Sequence, residues 1–336
     1  MNFIYSSIII ICSILYNSSS AYLQNERSDV EVRFDQYLRY KDIQAYLNRL
    51  DRTNPKVVQL KQFGLSVENR NLTAVKISTG GGNRKPLIFI DAGIHAREWL
   101  GPAQAIYIIS QLVENSKTTK LLKKVDWLIV PLVNPDGYEY CHAVDRLWRK
   151  NRAKGHGCRG VDLNRNFDFQ WSNQGGFDHE CSNTFAGQYP FSEPESLALS
   201  KLLMENANRI KMYISLHSAA QSILYPWGYT TDLPNNGKEL HKLAVKFSDA
   251  IYKVNLTEYK VGSAANVLYL VSGTSRDWAY GVANIRLSYT IELRGFQSHV
   301  LERRFQIPPE HIANAVSELF EGIKELHSYI ENKYTF

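Results

Sequence analysis

His95-Ala-Arg-Glu98 sets an imidazole and a carboxylate three residues apart, a spacing that a tight turn can aim at one point. His217, much further along the chain, can add a second imidazole. Two histidines and one carboxylate are a standard donor set for catalytic zinc, leaving the fourth position for water or substrate. His-x-x-Glu alone is a weak signal, and a lone histidine is often a satisfied core residue. The set therefore depends on elements that bring its members together.

Those elements are visible as alternating patterns. Short apolar runs at 87–90, 127–133, 212–216 and 287–291, rich in Ile, Val, Leu and aromatics, read as buried strands. Amphipathic stretches at 102–113, 193–206, 238–252 and 311–331 read as helices. The alternation predicts an α/β fold with a mixed, mainly parallel, twisted sheet flanked by helices on both faces. Run 87–90 leads to His95, 212–216 into His217 and 287–291 into Glu292. Open α/β sheets place their ligand crevice at the carboxyl ends of strands. His95, His217 and Glu292 can therefore share one crevice.

The rest of the chain bounds the setting. It has 336 residues, 39 Lys+Arg and 33 Asp+Glu, for a formal charge of +6. Hydrophobic residues at 44% and charged residues at 21% suit a soluble globular domain and exclude disorder, collagen or coiled coil as its main character. With no run of five basic residues, bulk charge gives no reason to expect nucleic-acid binding. Residues 3–16 are almost wholly apolar and precede Ser18-Ser-Ser-Ala21. The run is short for a bilayer span and reads as a signal peptide over 1–21, so the protein is expected to be secreted. A short leader over 22–33 and a single catalytic domain over 34–336 follow, with no further membrane span. Secretion permits disulfides. Cys158 and Cys181 flank a Gly- and Asn-rich loop and are the expected pair, leaving Cys141 as a buried thiol.

Five ordered blocks carry a resemblance: Gly93-Ile94-His95-Ala96-Arg97-Glu98-Trp99, Asn134-Pro135-Asp136-Gly137-Tyr138, Leu147-Trp148-Arg149-Lys150, Asp162-Leu163-Asn164-Arg165-Asn166-Phe167 and Ile291-Glu292-Leu293-Arg294. Together they resemble the digestive-type zinc metallocarboxypeptidases of the A/B group. The resemblance implies one zinc ion per chain, held by His95, Glu98 and His217, and a substrate that is the C-terminus of a peptide or protein. It implies Glu292 as general base and Arg149 as the cation steadying the oxyanion. The alternative for Glu292 is a strand-end carboxylate paired with Arg294. Asn164 and Arg165 match the clamp for the terminal carboxylate, and Tyr269 matches the tyrosine that closes over it. Asp162 matches a carboxylate that orients a zinc histidine, expected to be His95. Arg146 is expected to extend the cationic wall toward upstream substrate residues. The family disulfide falls on Cys158 and Cys181, and a monomer is expected.

At the position of Arg276, A-type members carry an apolar residue and B-type members an aspartate. Arginine reverses the sign and is the pattern of the acid-preferring type, carboxypeptidase O among them. Gly228, Leu224, Ala264, Leu268 and Thr290 would line the same pocket, making Arg276 its only charge. The alternatives are an internally paired Arg276 with neutral or hydrophobic preference, a catalytically inactive zinc-binding homologue, or a deacylase on a related zinc fold. Two departures stand out: the loop 295–304 differs from the family pattern, and Ala219 replaces a tyrosine near the upstream subsite. The family's folded inhibitory propeptide has no counterpart in the short leader, so activity without tryptic activation is expected.

Overall fold

Eight strands among the described residues form one sheet: β1 (Val58–Leu65), β2 (Asn71–Ile77), β3 (Leu87–Ala92), β4 (Asp126–Val130), β5 (Ile210–Ser218), β6 (Ser222–Tyr225), β7 (Lys260–Ser263) and β8 (Ser288–Leu293). Their order is β1-β2-β4-β3-β5-β8-β6-β7. The computed structural model describes residues 32–176 and 179–335. The expected signal segment 1–21 and nearly all of the expected leader 22–33 lie outside the described residues.

The centre of the sheet is parallel: β4 with β3, β3 with β5 and β5 with β8. β1 with β2, β2 with β4, and β6 with β8 are antiparallel, so the sheet is mixed as expected. The apolar runs became the central strands because burial on both faces demands continuous hydrophobicity. β1 and β7 lie at the edges, with solvent-facing residues interleaved, and their patterns are correspondingly weak in the sequence.

The helices are α1 (Tyr40–Thr53), α2 (Leu100–Val113), α3 (Pro135–Ala143), α4 (Pro194–Asn206), α5 (Gly237–Asn255), α6 (Ala264–Val267), α7 (Ser275–Gly281) and α8 (Ile312–Tyr334). Phe89 and Tyr213 pack with Leu199, Leu202 and Leu203 of α4 and Trp278 and Ala279 of α7. Successive strand residues point to opposite faces. Ile88, Ile90, Met212 and Ile214 therefore face the other side and are fully buried there. On that side α8 packs against both α2 and α5.

The crevice-forming ends differ slightly from expectation. His217 and Glu292 sit inside β5 and β8, which run on to Ser218 and Leu293. His95 sits in the turn between β3 and α2. Gly93 starts that turn at φ +68°, where a Cβ would come 2.6 Å from Leu132 Cδ1. Glycine meets both demands, the left-handed backbone and the close approach. Asn134 caps α3 by accepting from Gly137 N at 2.9 Å, and its amide donates to Ile94 O at 3.2 Å, pinning the turn that carries His95.

Candidate active site

His95, Glu98 and His217 converge, all buried. His95 Nδ1 lies 2.8 Å from Glu98 Oε1, and His217 Nδ1 lies 2.9 Å from Glu98 Oε2. The two Nδ1 atoms are 3.1 Å apart. Ser218 N donates to Glu98 Oε2 at 3.1 Å, tying the carboxylate to the end of β5. Burial opposes ionisation of Glu98, but the charges of His95 and His217 outweigh it and hold its pKa down.

Asp162 organises one side of this cluster. Its Oδ1 is 3.0 Å from His95 Nε2 and accepts from Asn164 N at 3.0 Å. Its Oδ2 accepts from Arg149 Nε at 3.0 Å and Nη2 at 2.8 Å. Arg165 Nη1 lies 3.7 Å away. Burial alone would raise this carboxyl, but Arg149, Arg165 and His95 hold it well below its ordinary value.

Glu292 stands beside His217 across the β5–β8 pairing. Arg294 does not pair with it; that guanidinium reaches Glu318 at 3.3 Å. Burial among protein atoms pushes the Glu292 carboxyl up to about 7, with Glu98 adding to the rise and His217, Arg149 and Arg276 opposing it.

Arg165 donates from Nη1 to Asn164 O at 2.9 Å, and its Nη2 lies 3.4 Å from the Tyr269 hydroxyl. Asn164 Oδ1 accepts from Ser275 N at 2.9 Å, which leaves its amide NH2 directed toward the His217 side. Tyr269 is 55% exposed, so it is not packed into the core, and its hydroxyl stands beside Arg165.

Residues 43–322 match the family model for zinc carboxypeptidase. The chain belongs to that family. It is 40% identical to carboxypeptidase B of Astacus astacus over 89% of this chain and 98% of that protein. It is 37% identical to carboxypeptidase O of Bos taurus over 88% of this chain and 81% of that protein. The crystal structure of the carboxypeptidase A from Helicoverpa armigera superposes with a TM-score of 0.87 at 35% identity, covering 92% of this chain and 77% of that one. The protein is thus a peptidase-class hydrolase with a peptide substrate.

The donor set fits the metal of a zinc carboxypeptidase. Two imidazole Nδ1 atoms and a carboxylate facing one another at 2.8–3.1 Å repel unless a proton or cation lies between them. Both Nε2 atoms have partners elsewhere, Asp162 Oδ1 for His95 and Ser215 Oγ for His217. Nitrogen and carboxylate donors in this number suit zinc.

One expectation for this zinc carboxypeptidase needs correction. Arg276 is not the lone charge of its pocket. Its Nε donates to Asp277 Oδ1 at 3.0 Å and its Nη1 to Thr290 Oγ1 at 3.3 Å. Asp277 also accepts from Gly228 N at 2.7 Å. A carboxylate next in sequence supplies the counter-charge that a buried guanidinium requires. Nη2 remains buried without a hydrogen-bond partner, and a Cβ on Gly228 would come 2.5 Å from it. Arg146 is tied to the turn that carries His95 and Glu98. It donates to Arg97 O at 3.0 Å and to Phe305 O, and stacks 3.5 Å over the Trp99 ring.

The disulfide joins Cys158 and Cys181, with Cα atoms 5.0 Å apart. Cys141 is a buried free thiol. A cleft of about 570 Å³ lies where Ala219 and the altered loop meet, lined by Ala219, Gln221, Gly295, Phe296, His299 and Arg304 among others. Asp277 and Ser215 went unrecognised in the sequence. Ser215 did carry a signal, since it sits two residues before His217 and so shares its strand face.

Proposed function

We propose that this zinc carboxypeptidase is secreted and releases C-terminal residues, preferring Glu and Asp. The observation that carries the acid preference is the buried, unpartnered Nη2 of Arg276. An unsatisfied buried donor costs roughly 1–3 kcal/mol, and a carboxylate side chain beside Gly228 would satisfy it with a charge-assisted bond. The apolar N-terminal run and the Cys158–Cys181 disulfide support secretion.

His95, Glu98 and His217 are the residues that would hold zinc. When bound there, zinc supplies Lewis acidity that polarises a scissile carbonyl and lowers the pKa of water. Glu292 takes a proton from the attacking water and returns it to the leaving amine. Its raised pKa suits a group that must both accept and donate near neutrality. Arg149 is anchored through Nε and Nη2 on Asp162, so the rest of its guanidinium is fixed for charge developing on the carbonyl oxygen. Arg165 and the Asn164 amide hold the substrate's terminal carboxylate, and Tyr269 closes over it.

The test is release from blocked dipeptides ending in Glu, Phe or Lys, with zinc present. Release of Glu should be fastest. Fastest release of Phe overturns the acid preference. No release from any of them, with zinc bound, indicates an inactive zinc-binding homologue.

A further inference from the structure

Asp91 is the one carboxylate in β3, a strand buried along its whole length. It is 0% exposed, and an ionised group that far from water is unfavourable unless it has a dedicated partner. The core gains nothing from an aspartate at this position. Its neighbours suggest a different purpose.

The parallel register of β3 and β5 sets Asp91 opposite Ser215. Ser215 and His217 lie two apart on one strand and therefore on one face. Ser215 Oγ is 2.8 Å from Asp91 Oδ1 and 3.1 Å from His217 Nε2. The three residues are at most 1% exposed, so water does not compete for these bonds.

A hydroxyl has one proton to donate. An ionised carboxylate only accepts, so Ser215 donates to Asp91 and its oxygen is left to accept from His217 Nε2–H. That polarity places the imidazole proton on Nε2 and leaves the lone pair on Nδ1, the atom facing Glu98 and His95. The amide of Asn164, 3.5 Å from the same Nε2, is a donor and would favour the opposite tautomer. The shorter relay from Asp91 opposes it. His95 follows the same logic by a direct route, with Asp162 Oδ1 on its Nε2.

We propose that Asp91 and Ser215 are positioning residues for the metal site. A relay from the Asp91 carboxylate through the Ser215 hydroxyl holds His217 with its Nδ1 lone pair turned into the cluster. This rests on His95, Glu98 and His217 as zinc ligands. Partners that orient ligating histidines are typically worth 10–100-fold in metal affinity.

The experiment measures zinc dissociation constants of the full chain by chelator competition, together with melting of the metal-free protein. Ser215→Ala should weaken zinc binding at least about tenfold and, because buried Asp91 loses its donor, also lower metal-free melting, and Ser215→Thr, which keeps the hydroxyl, should restore zinc affinity. Asp91→Asn should act in the same direction as Ser215→Ala, because an amide can donate to Ser215 and reverse the relay. Affinity of Ser215→Ala within twofold of the parent overturns the relay. So does a Thr variant that binds zinc as weakly as the Ala variant. A parent protein that takes up no zinc overturns the ligand set itself, a separate failure from an unchanged variant.

Discussion

His217 and Glu292 are directly paired positions of the parallel strands β5 and β8. Backbone register therefore fixes the distance between the proposed metal ligand His217 and the proposed general base Glu292. The base needs no ion pair to hold it in place, and Arg294, the nearest cation in sequence, is occupied by Glu318. A base placed by the sheet keeps its lone pairs free for water.

Glu292→Gln should lower kcat by about 10²–10⁴-fold, the usual contribution of a general base. Zinc content should match the parent and the melting temperature should not fall, since no side-chain partner is lost and a buried charge is removed. Metal analysis beside steady-state kinetics checks this. A variant within tenfold of the parent would remove Glu292 from the proton transfer.

Much of this site was legible because its members interrupt patterns. His217 and Glu292 end apolar runs that form the central strands, and Glu98 follows His95 at a turn spacing. Edge strands β1 and β7 were not legible, since half-exposed positions dilute their hydrophobic signal. Arg276 was read correctly as buried but wrongly as unpaired. The carboxylate next to it could equally have pointed away, and only the helix α7 geometry shows Asp277 turning back onto it. The carbonyls of Arg97 and Phe305 that hold Arg146 were not legible either, since its position near Arg149 in the sequence says nothing of them.

Asp162→Ala should damage more than one function. It frees His95 Nε2 and leaves Arg149 buried without its carboxylate partner. Removing one partner of a buried ion pair destabilises by about 3–5 kcal/mol. Urea unfolding of the metal-free variant should show that loss, and zinc affinity should fall as well. Unchanged unfolding with unchanged affinity would mean that water replaces the carboxylate.

Arg276→Met should erase acid preference and retain the fold at reduced stability, because buried Asp277 loses its guanidinium partner. Asp277 keeps its bonds from Gly228 N and Tyr229 N, and the methionine fills the stem volume. A charge-assisted bond is worth roughly 1.5–3 kcal/mol, so the Glu-to-Phe ratio of kcat/KM should drop about 10–100-fold. Parallel assays on the two blocked dipeptides decide it. An unchanged ratio would place Arg276 outside substrate contact.

Glu195, in the first turn of α4, sets a pH dependence of stability. It is 0% exposed and accepts from Val67 N at 2.9 Å and Asn151 Nδ2 at 3.1 Å. Glu193 shares that Asn151 nitrogen at 2.6 Å. Burial pushes the Glu195 carboxyl from 4.5 up to about 7; the Val67 and Asn151 bonds oppose the rise and Glu193 adds to it. The folded state then binds a proton that the unfolded state has released between those two values. Stability contributed by this group is fully present below pH 4.5 and declines as pH rises to about 7. The decline is on the order of 3 kcal/mol at most. Glu195→Gln keeps an acceptor for Val67 N and carries no charge, so it should gain stability over the parent at pH 8 and lose that advantage near pH 4.5. Urea unfolding of both proteins across this range measures the difference. A stability gap that does not change with pH would show that Glu195 is ionised throughout.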